Sequence, residues 1–250
     1  MTSSRGSRRK SAGSPGARSR LVFVTRVRSI DQLVEHQVRH WQLEARRQRL
    51  RQRRPCVAVS RLPGSGADEF GRLLAERLGY AFFGIEIVDR IARLSGIQQE
   101  LVAGMDERVR GGIEAVIDGL RNRPAPFSEG GYVGRLVRVI ATLGEGGSAV
   151  IVGRGSAHVL GPEHALRVLV VAPCEERVER LAKRYDLPLA EARSRLERQD
   201  AGRRLFVERS FRVDPDDASL YDLALNTGSL SIDGAVDLVE ELLSRRWPES

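Results

Sequence analysis

Hydrophobic positions along this chain follow two periods. Short, nearly uninterrupted apolar runs occur at Val57 to Ser60, Ala149 to Val152, Arg167 to Ala172 and Asp222 to Asn226. Runs of that length and composition read as buried strands. Between them the apolar residues recur at helical spacing. Phe70, Leu73, Leu74 and Leu78 mark one helix, with Gly79 as its stop. Further helices are predicted over 86–95, 98–120, 132–145, 175–186, 188–210 and 231–246. The stretch "RNRPAPFSEGG" (121–131) reads as a loop. Strands separated by helices imply a parallel sheet covered on both faces.

The first 54 residues are of another character. Residues 1–20 are Ser/Gly/Arg-rich with almost no apolar content, a composition that predicts disorder. From Ser29 the chain reads as a helix: Ser29 and Gln32 form a capping-box pattern, and Ile30, Leu33, Val34, Val38, Trp41 and Ala45 form an apolar stripe. Arginines crowd its C-terminal end, where the helix dipole favours cations, and Pro55 closes it. The organisation predicted is a basic tail (1–20), a basic arm and helix (21–54) and a main domain (55–250).

Charge sharpens that division. The 250-residue chain carries a net charge of +8. Residues 1–54 hold fifteen Arg/Lys against three Asp/Glu, a net of +12; the rest hold 26 against 30, a net of −4. The main domain is mildly acidic, which argues against nucleic-acid binding there and leaves it as an expectation for the arm alone. No run of about 18 apolar residues predicts a membrane span. The basic N-terminus has no apolar core of a secretory signal, so a cytoplasmic location is expected. Cys56 and Cys174 and the four histidines make no metal-ligand spacing.

The candidate chemistry begins at "SRLPGSGADEFG" (Ser60 to Gly71), which follows the first strand and opens a helix. Strand, glycine-rich turn and helix N-terminus together cradle phosphate. A P-loop reads G-x-x-x-x-G-K-[ST]. With Gly66 as the second glycine, the first falls on Arg61, the lysine on Ala67 and the hydroxyl on Asp68. Only Pro63, Gly64, Ser65 and Gly66 keep the loop's character. By themselves these residues favour a plain strand-to-helix turn, in which Asp68 and Glu69 suit the helix N-terminus.

The longer stretch "SRLPGSGADEFGRLLAERLGYAFFGIEIVDRIARLSGI" resembles the opening of the cytidylate-kinase-like family, a branch of the P-loop nucleoside monophosphate kinases. Members of that family open with a strand, then "SREYGSGG", and replace the P-loop lysine by a small residue. Three more blocks are similar in order and spacing: "AVIVGRGSAHVL", "LRVLVVAPCEERVERL", and the lid and closing block from Arg198 to Val239. The resemblance covers roughly residues 55 to 243. It implies a three-layer α/β fold of the P-loop nucleoside-monophosphate-kinase type, a parallel sheet with helices on both faces and a helical lid, to which this chain adds an N-terminal helix.

The resemblance also implies an activity: transfer of the ATP γ-phosphate, with Mg²⁺, to a CMP-like nucleoside monophosphate. Ser60 and Pro63 to Asp68 would bind the nucleotide phosphates, Asp68 being also the candidate metal ligand. Arg154, Glu86, Asp89 and Asp200 would meet the acceptor. Arg203, Arg209 and Arg61 would stabilise the transferred charge, Arg61 standing in for the missing lysine. Asn226 and Thr227 belong to the closing strand. Two departures count against efficient catalysis: Gly84 where the family carries an aspartate, and Asp68 where it often carries a basic residue. The alternatives are therefore a nucleotide-binding regulatory domain without turnover, and a protein that binds nucleic acid or a partner through its basic arm. A monomer and a homodimer paired by the helix stripe are both open.

Overall fold

The computed structural model describes residues 29–49, 54–94, 101, 107–121 and 131–248. The tail expected to be disordered, the first part of the helix expected at 98–120 and most of the 121–131 loop lie outside them.

Among the described residues five parallel strands form one sheet: β1 (Cys56–Arg61), β2 (Ala81–Phe83), β3 (Ala149–Val152), β4 (Ala165–Val171) and β5 (Leu223–Asn226), in the order β2-β3-β1-β4-β5. Register is fixed by pairs such as Val57 with Val150 and Leu166. Alternate residues of each strand feed opposite cores. Cys56, Ala58, Ala149, Ile151 and Ala165 face one; Val57, Val59, Val150, Val152 and Leu166 face the other. Burial on both faces explains why these strands read as unbroken apolar runs.

One face is covered by α2 (Ala67–Leu78) and α9 (Ile232–Arg246), through Phe70, Leu74, Val236 and Val239. The other is covered by α1 (Ile30–Arg49), α3 (Ile85–Arg93), α4 (Glu107–Arg121), α5 (Tyr132–Gly146) and the single turn α6 (Ser156–Val159). A third, small cluster of Val178, Leu181, Ala192 and Leu196 joins α7 (Cys174–Tyr185) to α8 (Leu189–Phe211). Helix α8 is the element expected as the lid. Its C-terminal end is anchored by Val207 and Phe211 in the larger core.

The four expected strands are present, each end within two residues of its expected place. The edge strand β2, the turn α6 and a 3-10 turn at Ala218–Leu220 were not expected. The stripe of α1 is spent inside the chain, since Val34, Val38 and Trp41 are fully buried in the larger core. Among the described residues no helix is long and apolar enough to cross a membrane.

Candidate active site

The loop after β1 is shaped before any ligand is considered. Leu62 N–H donates to Val170 O (3.0 Å), and Ser65 N–H turns back to Leu62 O (3.1 Å). Gly64 and Gly66 take φ of +77° and +78°, a region that side-chain-bearing residues rarely adopt. A Cβ on Gly64 would also lie 2.8 Å from the carbonyl of Arg177. The loop thus rests against α7 and delivers the chain into the first turn of α2, whose N–H groups have no carbonyl behind them. Thr227 Oγ1 donates to Ser65 O (2.7 Å) and fixes the loop to the end of β5. Among the described residues, Ser65 Oγ is buried without a hydrogen-bond partner. A glycine cradle with an orphaned hydroxyl at a helix N-terminus suits a phosphate group.

A cleft of about 570 Å³ opens beside this loop, past the C-terminal ends of β1 and β3. In open α/β sheets ligands bind in that position. Five arginines line it, Arg61, Arg72, Arg154, Arg184 and Arg203, against the carboxylates of Asp68 and Glu86. Ser60, Pro63, Gly64 and Gly84 complete this part of the wall.

Each arginine is aimed by a named contact. Arg61 Nε lies 3.7 Å from Asp68, which on its other side lies 3.4 Å from Arg184 of α7. Arg72 lies over the ring of Phe82 at 4.4 Å. Arg154 occupies the middle of the "GRG" turn, where Gly153, Arg154 and Gly155 all have positive φ. Its guanidinium meets Asp89 at 2.5 Å and lies 5.8 Å from the ring of Phe206. Asp89 also accepts from the hydroxyl of Tyr132. Burial, and then that bond to a carboxylate, pushes the Tyr132 phenol up to about 12.

Arg203 projects from α8 and is only 14% exposed. It holds Asp216 at 2.8 Å, donates to Pro215 O at 3.0 Å and reaches Ser60 Oγ at 3.3 Å. The Tyr221 hydroxyl donates to the same Pro215 O (2.7 Å) and lies 3.1 Å from Ser60 Oγ. The end of β1, the lid helix and the loop before β5 therefore meet in one polar network.

Other expected residues fall elsewhere. Asp200 does not line the main cleft; it accepts from Arg177 at 2.9 Å and borders, with Arg203, a second cavity of about 260 Å³. Arg209 is exposed and does not line either cavity. Asp89 stands behind Arg154. Thr227 serves the loop.

The expectations missed the arginines of α7. Arg177, 7% exposed, donates to Pro63 O at 3.3 Å. Arg180 donates to Thr227 Oγ1 (2.9 Å) and to Thr227 O (2.8 Å), beside Gly66. Arg184 reaches Asp68. Their spacing of three and four residues put them on one helix face and was the signal available in the sequence.

The model of the cytidylate kinase-like family matches residues 56–229, which hold the loop, the cleft arginines, α7 and α8. The chain belongs to the cytidylate kinase-like family. A Methanopyrus kandleri protein named cytidylate kinase is 33% identical over 199 residues, 77% of this chain and 96% of that one. An Aeropyrum pernix cytidylate kinase is 27% identical over 192 residues, 75% of this chain and 98% of its own length. The crystal structure of an uncharacterized protein from Eubacterium ventriosum superposes with a TM-score of 0.59 at 19% identity, over 77% of this chain and 99% of that chain. It shares the fold. The match to the family begins at Cys56, so α1 lies before it.

Proposed function

We propose that this member of the family is a nucleoside monophosphate kinase that transfers the γ-phosphate of ATP to a CMP-like acceptor. The observation that carries this reading is the convergence of five arginines, from β1, α2, the "GRG" turn, α7 and α8, on one cleft beside a lysine-less phosphate loop. Phosphoryl transfer asks a protein for positioning and positive charge more than for covalent chemistry. Loop amides from Gly64 to Asp68 receive the donor phosphates. Arg61 and Arg184 supply the charge that Ala67 does not, as planar forks in place of a point charge. Arg154 grips the acceptor phosphate, and Arg203 stabilises the group in transit. Glu86 faces the acceptor from α3.

Magnesium fits the same frame. Mg²⁺ is usually held by one or two carboxylates together with phosphate oxygens and water. Asp68 is the carboxylate at the loop; Arg61 stands 3.7 Å from it, and Arg184 reaches it by a long hydrogen bond of 3.4 Å. When bound, the ion neutralises charge on the phosphates.

A second reading, nucleotide binding without turnover, is favoured by one observation: Asp68 already engages two of the arginines that phosphate needs. A third reading, binding of nucleic acid or an acidic partner through the arginines from Arg46 to Arg54 of the basic arm, predicts salt-dependent binding that is lost when residues 1–54 are deleted.

Thermal shift tests the first reading, because a ligand of the native state raises apparent stability. ATP and CMP should each raise the melting temperature of the full chain. The Arg154→Ala variant should lose the CMP shift and keep the ATP shift. If neither nucleotide moves the transition, both nucleotide readings fail.

A further inference from the structure

Helix α1 precedes the segment that matches the family, yet it touches the cleft wall at two defined points. Its N-terminal turn reaches α3. Asp31 accepts a bidentate pair of hydrogen bonds from Arg90, the second at 2.7 Å. One and a half turns on, Gln37 Nε2 donates to Phe82 O at 3.1 Å. That carbonyl belongs to β2, the edge strand, which pairs with β3 on its other side. Further along, Trp41 anchors the helix. It is fully buried, its ring meets Phe83 edge-on at 6.2 Å, and its Nε1–H donates to Gly147 O at 3.0 Å. A Cβ on Gly146 would lie 2.1 Å from the Trp41 ring, so α5 and α1 approach as closely as glycine allows.

Both contact points lead into the cleft. Arg90 is the neighbour of Asp89, which holds Arg154. Phe82 is the ring under Arg72. β2 has only three residues, and α3 only nine. An edge strand that short has few ladder bonds to fix it, and a helix of nine residues has little hold beyond its packing. From the opposite side α5 holds α3, through Arg135 Nε to Ala92 O (2.9 Å) and Tyr132 to Asp89. The β2–α3 segment is therefore clamped between α5 and α1.

We propose that α1 is a brace for the acceptor wall: Asp31 and Gln37 act as positioning residues that hold β2 and α3, and through them Arg72, Asp89 and Arg154, in register with the phosphate loop. This inference rests on reading that wall as the acceptor side. Asp31 and Gln37 line neither of the two cavities described above and reach the cleft only through β2 and α3, so their effect falls on the substrate that this wall holds. Loosening the brace should weaken the acceptor and leave ATP, held on the far side by the loop and α7, unchanged.

The test uses the full chain carrying Asp31→Asn with Gln37→Met, and Asp31→Glu as the conservative control. Two readouts are taken: amide hydrogen exchange of residues 81–93 and 60–70, and KM for the acceptor and for ATP. The brace predicts faster exchange confined to 81–93, a rise in acceptor KM on the order of three- to tenfold, and an unchanged ATP KM. Asp31→Glu, which keeps the carboxylate, should stay near the parent in both. Unchanged exchange at 81–93 overturns the proposal. So does a rise shared equally by 60–70, or by both KM values, since that is general loosening. Should the parent turn over no acceptor at all, the kinase reading fails, and the exchange readout still decides whether α1 holds the wall.

Discussion

Arg154 and Asp89 hold each other at 2.5 Å across the gap between the "GRG" turn and α3. Arg154 sits at a positive φ of 53°, flanked by two glycines in the same region, and Asp89 is steadied by Tyr132. The pair turns a strained turn and a short helix into one fixed feature of the cleft. Side-chain-bearing residues keep such a conformation only where their surroundings over-determine it.

From this pair follows a graded response. Arg154→Ala should lower kcat/KM for the acceptor by about a hundredfold, the scale of losing one preorganised charge donor. Arg154→Lys should rescue little of it, because a point charge cannot reproduce the planar fork. Asp89→Asn, which leaves the arginine present but less firmly aimed, should cost about tenfold. Steady-state kinetics with ATP saturating would order the three.

Arg203 and Arg209 were expected to act together from one helix, and the structure separates them. Arg203→Ala should lower kcat by about a hundred- to a thousandfold with little change in ATP KM. Arg209, exposed and off the cleft, should behave as a surface residue, with Arg209→Ala within about twofold of the parent. Comparable losses in the two variants would contradict this placement of the lid.

Gly155 predicts a stability effect. It has φ of +75°, and a Cβ there would lie 2.2 Å from the Phe211 ring. Gly155→Ala should destabilise the fold by about 2 kcal/mol or more, from backbone strain and overpacking together. The midpoint of urea unfolding would report it, with the slope of the transition unchanged.

His164 predicts a pH dependence. At the end of the sheet away from the cleft it meets Glu145 at 2.8 Å and Glu163 at 2.9 Å. The bond to Glu145 raises the imidazole above its usual range, against the opposing effect of burial. A folded-state value above the unfolded one stabilises fully at low pH. Stability should therefore be complete below about pH 6.5 and decline as pH rises through the raised folded value. His164→Gln should flatten that decline in urea unfolding followed across pH.

Much of this was legible in the sequence because the signals are local. Strands buried on both faces print as apolar runs, and Val57–Ser60 and Ala149–Val152 sit within a residue or two of their observed places. The loop was legible from Gly64 and Gly66, which backbone geometry demands. β2 was not, because three residues on an edge carry no period, and "YAFF" reads as well into the following helix. Asp200 was misplaced for a different reason. Helical spacing put it with Arg203, correctly, but only the packing of α7 against the loop shows that Arg177 takes its carboxylate. The brace was equally hidden: the stripe of α1 announced that it docks, while Asp31 with Arg90 and Gln37 with Phe82 are pairings of distant residues that no local pattern carries.

A phosphate loop without its lysine, supplied with charge by arginines from around the cleft, should still transfer phosphate. A coupled assay of ADP release by the full chain, run with ATP, Mg²⁺ and each common nucleoside monophosphate, tests it most directly. Acceptor-dependent turnover is expected, greatest with CMP and lost in Arg203→Ala. ATP binding without acceptor-dependent turnover for any nucleoside monophosphate would contradict it.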